Sequence, residues 1–230
     1  MLLERIISVM AAGAALLSGS MEAAMPDKAI DGDMFLVNRQ HTLSENYIPA
    51  SLLKTEVYGM SQSMREDAAA ALEELFAAAK SEAGLSLATV SGYRSYSKQS
   101  TIYARKKKTA GSTEAADKLV AKPGTSEHQL GLAMDISRKT SSTLSSKFGE
   151  TEEGQWVYAN CHRFGFIVRY LEGFEEVTGY SYEPWHIRYV GKEQAQAIHQ
   201  SGVAMEMYVS DWKAEIYDYL IQQATNEVLP

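Results

Sequence analysis

Between Gln62 and Lys80, the side chains Met64, Ala68, Leu72, Leu75 and Phe76 recur close to the helical period, which predicts an amphipathic helix with one buried face. The pattern then changes. LSLATVSGY, starting at Leu85, is a predicted strand that stops at Gly92. Ser95 or Ser97 can cap a following helix that runs through Gln99 to about Lys107, because a serine hydroxyl satisfies an unpaired N–H of the first turn. A short helix is expected over Thr113–Ala121, and KPGTSEHQLG reads as a loop marked by Pro123-Gly124 and Gly131. LAMDIS and FIVRY are short strand patterns, and WHIRYV is a strand whose residues alternate between two faces. Helical patterns cover Glu152–Arg163, Lys192–Gln200 and much of Ala204–Ala224. Near the start, FLVN (35–38) reads as a short strand and HTLSENYIPASLL as an irregular approach. Helices gather in runs around short strands without a steady βαβ rhythm, so the expected class is α+β.

Composition narrows this picture only a little. The 230 residues suffice for one domain with a sizeable core and some extension, and 45% hydrophobic with 22% charged residues is ordinary for a globular chain. A net charge of -7 argues against a general nucleic-acid binder, which needs a basic face against phosphates. The one basic run, Arg105-Lys106-Lys107-Lys108, follows a predicted helix and reads as a solvated last turn facing the helix dipole. The single cysteine, Cys161, allows no internal disulfide and reads as a small buried thiol. The first 25 residues have a charged start, an almost uncharged stretch from Ile6 to Ser18, and small residues at Ala23 and Ala24. That resembles a secretory signal peptide, and its apolar run is shorter than the roughly 20 residues a spanning helix needs. A cleaved signal is the first reading, an uncleaved membrane anchor the second and an ordinary buried helix the third.

Candidate chemistry concentrates in two places. EPWHIRYVG (Glu183 to Gly191) packs a carboxylate, an indole, an imidazole and a guanidinium into six residues, and TSEHQLGLAMD carries His128 and Asp135 seven residues apart. Imidazole and carboxylate are good zinc ligands, and a catalytic zinc takes three protein ligands and keeps one position open. His128, Asp135 and His186 would supply such a set, with His186 arriving from a separate strand. Glu183, three residues before His186, could then act as a general base, with Pro184 stiffening the link. Against this, a lone histidine is more often a hydrogen-bonded core or surface residue, and spacing alone leaves both readings open. His41, His162 and His199 keep the ordinary structural reading.

Three ordered segments, SGYRSYSKQ (Ser91 to Gln99), SEHQLGLAMD (Ser126 to Asp135) and EPWHIRYVG, resemble the signature blocks of the VanY-type D-alanyl-D-alanine carboxypeptidases, relatives of the VanX dipeptidases and the L,D-carboxypeptidases. The middle block matches S-x-H-x-x-G-x-A-x-D at Ser126, His128, Gly131, Ala133 and Asp135, and the last matches E-x-W-H. The resemblance implies a small antiparallel sheet flanked by helices, with Zn2+ held by His128, Asp135 and His186. It implies Glu183 as catalytic base and Arg94 as the cation that polarises the scissile carbonyl. Gln99 and Ser126 match positions that contact the substrate peptide. The implied substrates are peptidoglycan stem peptides, with L,D-carboxypeptidase or endopeptidase activity as the alternative and a catalytically silent cell-wall-binding module behind both, and the implied location is extracytoplasmic. The expected organisation is a signal or anchor over 1–25, a linker over 26–34, the zinc carboxypeptidase domain over 35–209 and a helical tail over 210–230.

Overall fold

The structure is a computed structural model and describes residues 32–211. The predicted leader, most of the predicted linker and all but the first two residues of the predicted tail lie outside those residues.

Helix α1 (Glu66–Ala83) is rich in alanine and leucine, has Glu66 and Asp67 in its first turn and Lys80 in its last, and stops at Gly84 in the left-handed conformation. Strong helix formers, charges matched to the dipole and a glycine stop all agree here. The helix buries Leu72, Leu75, Phe76 and four alanines, which form much of the main core. It begins four residues later than the periodicity predicts. Residues Ser63–Arg65 form strand β2, paired antiparallel with β1 (Leu52–Lys54). Met64 is buried, so its apolar position fits a strand as well as a helix, and two backbone contacts decide the matter. Arg65 N donates to Gly131 O and Tyr93 N donates to Ser63 O, and both would be lost in a helix.

The second sheet carries the site. Strands β3 (Leu87–Ser91), β4 (Ala133–Arg138), β5 (Phe166–Tyr170) and β6 (Glu183–Tyr189) lie in the order β3-β4-β6-β5, each pair antiparallel. The central pair, β4 and β6, aligns Asp135 opposite His186. This is the small antiparallel sheet flanked by helices that the resemblance implies. Strand β5 is buried along its whole length. Strand β6 begins at Glu183 rather than Trp185, so the candidate base lies on the strand itself.

Helix α2 (Tyr96–Ala110) is capped by Ser95, whose hydroxyl accepts from Lys98 N, and ends at Gly111. The cap directly follows Arg94, so it also fixes the exit of the chain from the site. Ser95→Ala is expected to lower stability by about 1 kcal/mol, read as a shifted urea midpoint with unchanged slope. The remaining helices are α3 (Thr113–Asp117), α4 (Glu152–Asn160), the short α5 (Glu175–Thr178) and α6 (Lys192–Ser201). Residues 205–211 are also helical and run across the predicted boundary between domain and tail. Cys161 is buried at the end of α4, where burial pushes its thiol up to about 12; such a group is inert. Among the described residues no helix is long and apolar enough to cross a membrane.

Two local expectations are corrected. FLVN is not a strand: Asn38 folds the segment back, its side chain accepting from the N–H groups of Gln40 and His41, and Phe35 O is taken by the Arg188 guanidinium. Phe35 N and Asn38 N are also taken locally, by the carbonyls of Gly32 and His41, so these groups need no partner strand. The last residues of the predicted linker are not free either. Asp33 pairs with Arg65 at 2.8 Å, and Met34 packs on the cluster of Ile167, Val190 and Ile198.

Candidate metal centre and active site

The site begins at Gly92, where β3 ends. A Cβ there would lie 2.7 Å from Ser63 O, so glycine alone permits the close approach of β2. The Gly92 carbonyl faces His128 Nδ1 at 2.8 Å. That bond assigns the Nδ1 proton and leaves the Nε2 lone pair of His128 directed inward, 3.4 Å from Asp135 Oδ2. His128 itself sits in a 3-10 turn, Glu127–Leu130, which the loop reading of KPGTSEHQLG did not anticipate. The turn ends at Gly131 with φ 72, a conformation natural to glycine, and β4 starts two residues later.

Asp135 on β4 and His186 on β6 meet across the strand pair, with His186 Nδ1 3.1 Å from Asp135 Oδ1. The His128 and His186 rings pack edge to face with centroids 4.9 Å apart. One ligand atom from each of His128, Asp135 and His186 lies within 4.8 Å of the others, and all three residues are buried. Burial alone would raise Asp135, but the two imidazoles outweigh it and hold the carboxylate well below its usual range. Burial, with Arg94 adding to it, depresses His128 to about 4. His186 is lifted to about 9: burial opposes its charge, yet Asp135 and Glu127, one at each ring nitrogen, overcome it. The pocket therefore favours positive charge between His186 and Asp135. Two imidazole nitrogens and a carboxylate oxygen, with His128 Nδ1 held by the Gly92 carbonyl and His186 Nε2 facing Glu127 Oε2 at 3.5 Å, form a donor set that fits a catalytic zinc ion.

Glu183 stands at the start of β6 with Oε2 3.9 Å from His186 Nδ1. Burial raises its pKa to about 7, with Asp135 adding to the rise and His186, Arg94 and Lys106 opposing it. Lys106 differs from the expectation of a solvated basic turn: it is half-buried whereas Arg105, Lys107 and Lys108 are exposed. Arg94 aims at the same centre. Its Nη1 donates to Ser91 Oγ at 2.7 Å and approaches Asp135 Oδ2 at 3.4 Å, while its Nε donates to Gln99 Oε1 at 2.9 Å. Gln99 is buried and its amide donates to Ala121 O at 2.7 Å. One end of Gln99 thus holds Arg94 and the other is tied to the Ala121 carbonyl. Ser126 is buried two residues before His128.

Reading the residues alone missed Glu127, Arg169 and the inward role of Arg188. Arg169 and Arg188 are wholly buried on β5 and β6, and both donate to Glu127 Oε1 at 2.8 Å. The signal was available: an arginine inside FIVRY and another inside HIRYV need buried acceptors. His162, in the turn after α4, and His199, on α6, set aside as ordinary, stack on each other with centroids 3.9 Å apart.

The model of the VanY family, D-alanyl-D-alanine carboxypeptidase, matches residues 61–192. The Bacillus subtilis (strain 168) protein YodJ, a proposed carboxypeptidase, is 44% identical over 180 residues, 75% of this chain. The chain spans 65% of that relative's length. Among solved structures, the LD-carboxypeptidase LdcB, whose structure reveals the molecular basis of peptidoglycan recognition, superposes with a TM-score of 0.73 at 42% identity, covering 78% of this chain and 86% of LdcB. A glutamate-to-alanine variant of the vancomycin-resistance D,D-pentapeptidase VanY from a VanB-type cassette, in complex with Zn(II), superposes with a TM-score of 0.67 at 37% identity, covering 77% of this chain and 98% of that one. With its family model spanning the sheet, the histidine–aspartate cluster and Glu183, the chain belongs to the VanY family of D-alanyl-D-alanine carboxypeptidases.

Proposed function

We propose that the protein is a zinc-dependent carboxypeptidase that removes the C-terminal D-alanine from peptidoglycan stem peptides. The observation that carries this reading is the convergence of His128, Asp135 and His186 within 4.8 Å, with Glu183 at 3.9 Å from His186 and Arg94 at 3.4 Å from Asp135. The Zn(II) complex of the VanY relative supports the choice of metal. His128 Nε2, an Asp135 oxygen and His186 Nδ1 would hold the ion. When bound, zinc supplies Lewis acidity, polarising a carbonyl and making water nucleophilic near neutral pH.

The other steps belong to the chain's own groups. Glu183, raised to about 7 by burial, accepts the proton of the attacking water and returns it to the leaving amine, because a base with a pKa near the working pH does both well. Arg94 donates to the carbonyl oxygen as negative charge grows there, and it needs little reorganisation because Ser91 and Gln99 already fix its guanidinium. Gln99 acts through Arg94, and Ser126 is assigned to peptide contact on its match to the family pattern. A stem peptide of the cell wall is met outside the cytoplasmic membrane, which accords with the signal-like leader and an extracytoplasmic location.

Likeness to LdcB favours a second reading, L,D-carboxypeptidase action on tetrapeptide stems. Incubation with defined penta- and tetrapeptide stems, with products weighed by mass spectrometry, separates the two. The proposal expects D-alanine from the pentapeptide, activity lost on chelation and restored by zinc. Release from the tetrapeptide alone would select the second reading, and release from neither would sink both.

A further inference from the structure

Behind His186, on the side away from Asp135, lies a buried chain of charges. Glu127 Oε1 is shared by Arg169 Nε and Arg188 Nη1, each at 2.8 Å. Arg169 is in turn gripped in a two-bond fork by Glu206, at 2.8 and 2.6 Å, from the helical residues 205–211. Arg188 is further pinned by the carbonyls of Asp33 and Phe35. With one oxygen so anchored, the second, Oε2, is left facing His186 Nε2 at 3.5 Å. Both atoms are buried and neither has a hydrogen-bond partner among the other described groups, so each is the nearest polar group left to the other. The His186 ring cannot swing away, because Tyr170 packs against it with centroids 5.0 Å apart and His128 meets it edge-on.

From this arrangement we infer that Glu127 is a positioning residue for His186: by accepting a hydrogen bond from Nε2–H it selects the tautomer whose Nδ1 lone pair points to the metal position. Resting on the zinc reading above, the inference explains why a carboxylate and two arginines are buried beside the site. Buried ion pairs are weak evidence for stability on their own, whereas a carboxylate on the far nitrogen of a metal-binding histidine fixes both ring orientation and tautomer. The remaining nitrogen is the one that faces Asp135, 3.1 Å away.

Glu127→Gln provides a sharp test because its shape is unchanged. The two arginines demand the amide oxygen, which turns the NH2 group towards His186 Nε2. Two donors then face each other unless the ring moves its proton to Nδ1, where it competes with the metal. Zinc affinity, measured by competition with a chromophoric chelator, should fall 10- to 100-fold, and the visible spectrum of the Co(II)-loaded protein should shift. A folded Glu127→Gln protein with affinity within twofold of the parent and an unaltered Co(II) spectrum would overturn the inference. Should that variant not fold, the parent protein decides. Long-range 1H–15N correlation of its zinc-loaded form should show His186 protonated at Nε2, and a proton at Nδ1 overturns the assignment. A parent protein that binds neither zinc nor Co(II) would instead defeat the zinc reading, and the inference with it.

Discussion

Glu183→Gln is expected to cost the enzyme about 10²–10⁴ in turnover of a stem peptide and at the same time to make the metal-free protein more stable at alkaline pH. The loss follows from removing the proposed base, while the three proposed ligands stay in place and metal content is expected to be unchanged. The gain follows from the direction of the pKa shift. Burial raises Glu183 from 4.5 to about 7, so the fold favours its neutral form. Its contribution is fully present below about pH 4.5 and is lost as the pH rises through about 7. Above that, the ionised carboxylate costs about 3 kcal/mol at most, and a neutral glutamine avoids that cost. Urea denaturation of the metal-free proteins should show the variant ahead at pH 8 and level with the parent at pH 4. A stability difference that ignores pH, or a variant that keeps full turnover, would show that Glu183 is not the buried base described above.

Removal of Arg188 should be the most damaging single truncation of the scaffold. Arg188→Ala takes away one donor to Glu127 Oε1 and both donors to the carbonyls of Asp33 and Phe35. A carboxylate is then left in the interior with Arg169 as its one strong partner, and breaking a buried pair in this way costs about 3–5 kcal/mol. Equilibrium unfolding monitored by tryptophan fluorescence measures the loss. Arg163→Ala is a natural comparison, because its pair with Glu82 lies on the surface at 42% exposure on each side, where water and salt already weaken the attraction. The two variants remove the same side chain, and near-equal effects would refute the special standing of Arg188.

Those two residues also show what could be read from the chain and what could not. Helix α1 was legible because its apolar period, dipole charges and glycine stop act within one segment. Strands β3, β4 and β5 were legible as short apolar runs between turn signals. By contrast, β1 and β2 are three residues each and depend on contacts with Gly131 and Tyr93, which no local window contains. The same division holds in the site. His128, Asp135, Glu183 and His186 stand out because their residue types, order and spacing match a family pattern, and the structure places them together. Glu127 stands between Ser126 and His128 and looks like a surface residue. Its burial is decided by Arg169, 42 positions on, and by Arg188, 61 positions on. A charge buried by distant partners carries no local hydrophobic signature. FLVN errs in the opposite sense: its pattern suits a strand, but the turns with Gly32 and His41 and the Arg188 guanidinium claim its backbone first.

The cross-strand pairing of Asp135 with His186 makes the site sensitive to reading frame in a mechanical sense. Side chains on a strand alternate faces, so a one-residue insertion or deletion within β4 or β6 sends one ligand to the opposite side of the sheet. Changes of length in the connections, such as residues 139–151 between β4 and α4 or 171–182 between β5 and β6, leave that pairing intact. Descendants of this chain can therefore vary the exposed parts of these loops while inheriting the same two strands unaltered, with anchors such as Phe148 and Tyr180 kept in place. Length can change at the rim and is forbidden by single steps at the centre.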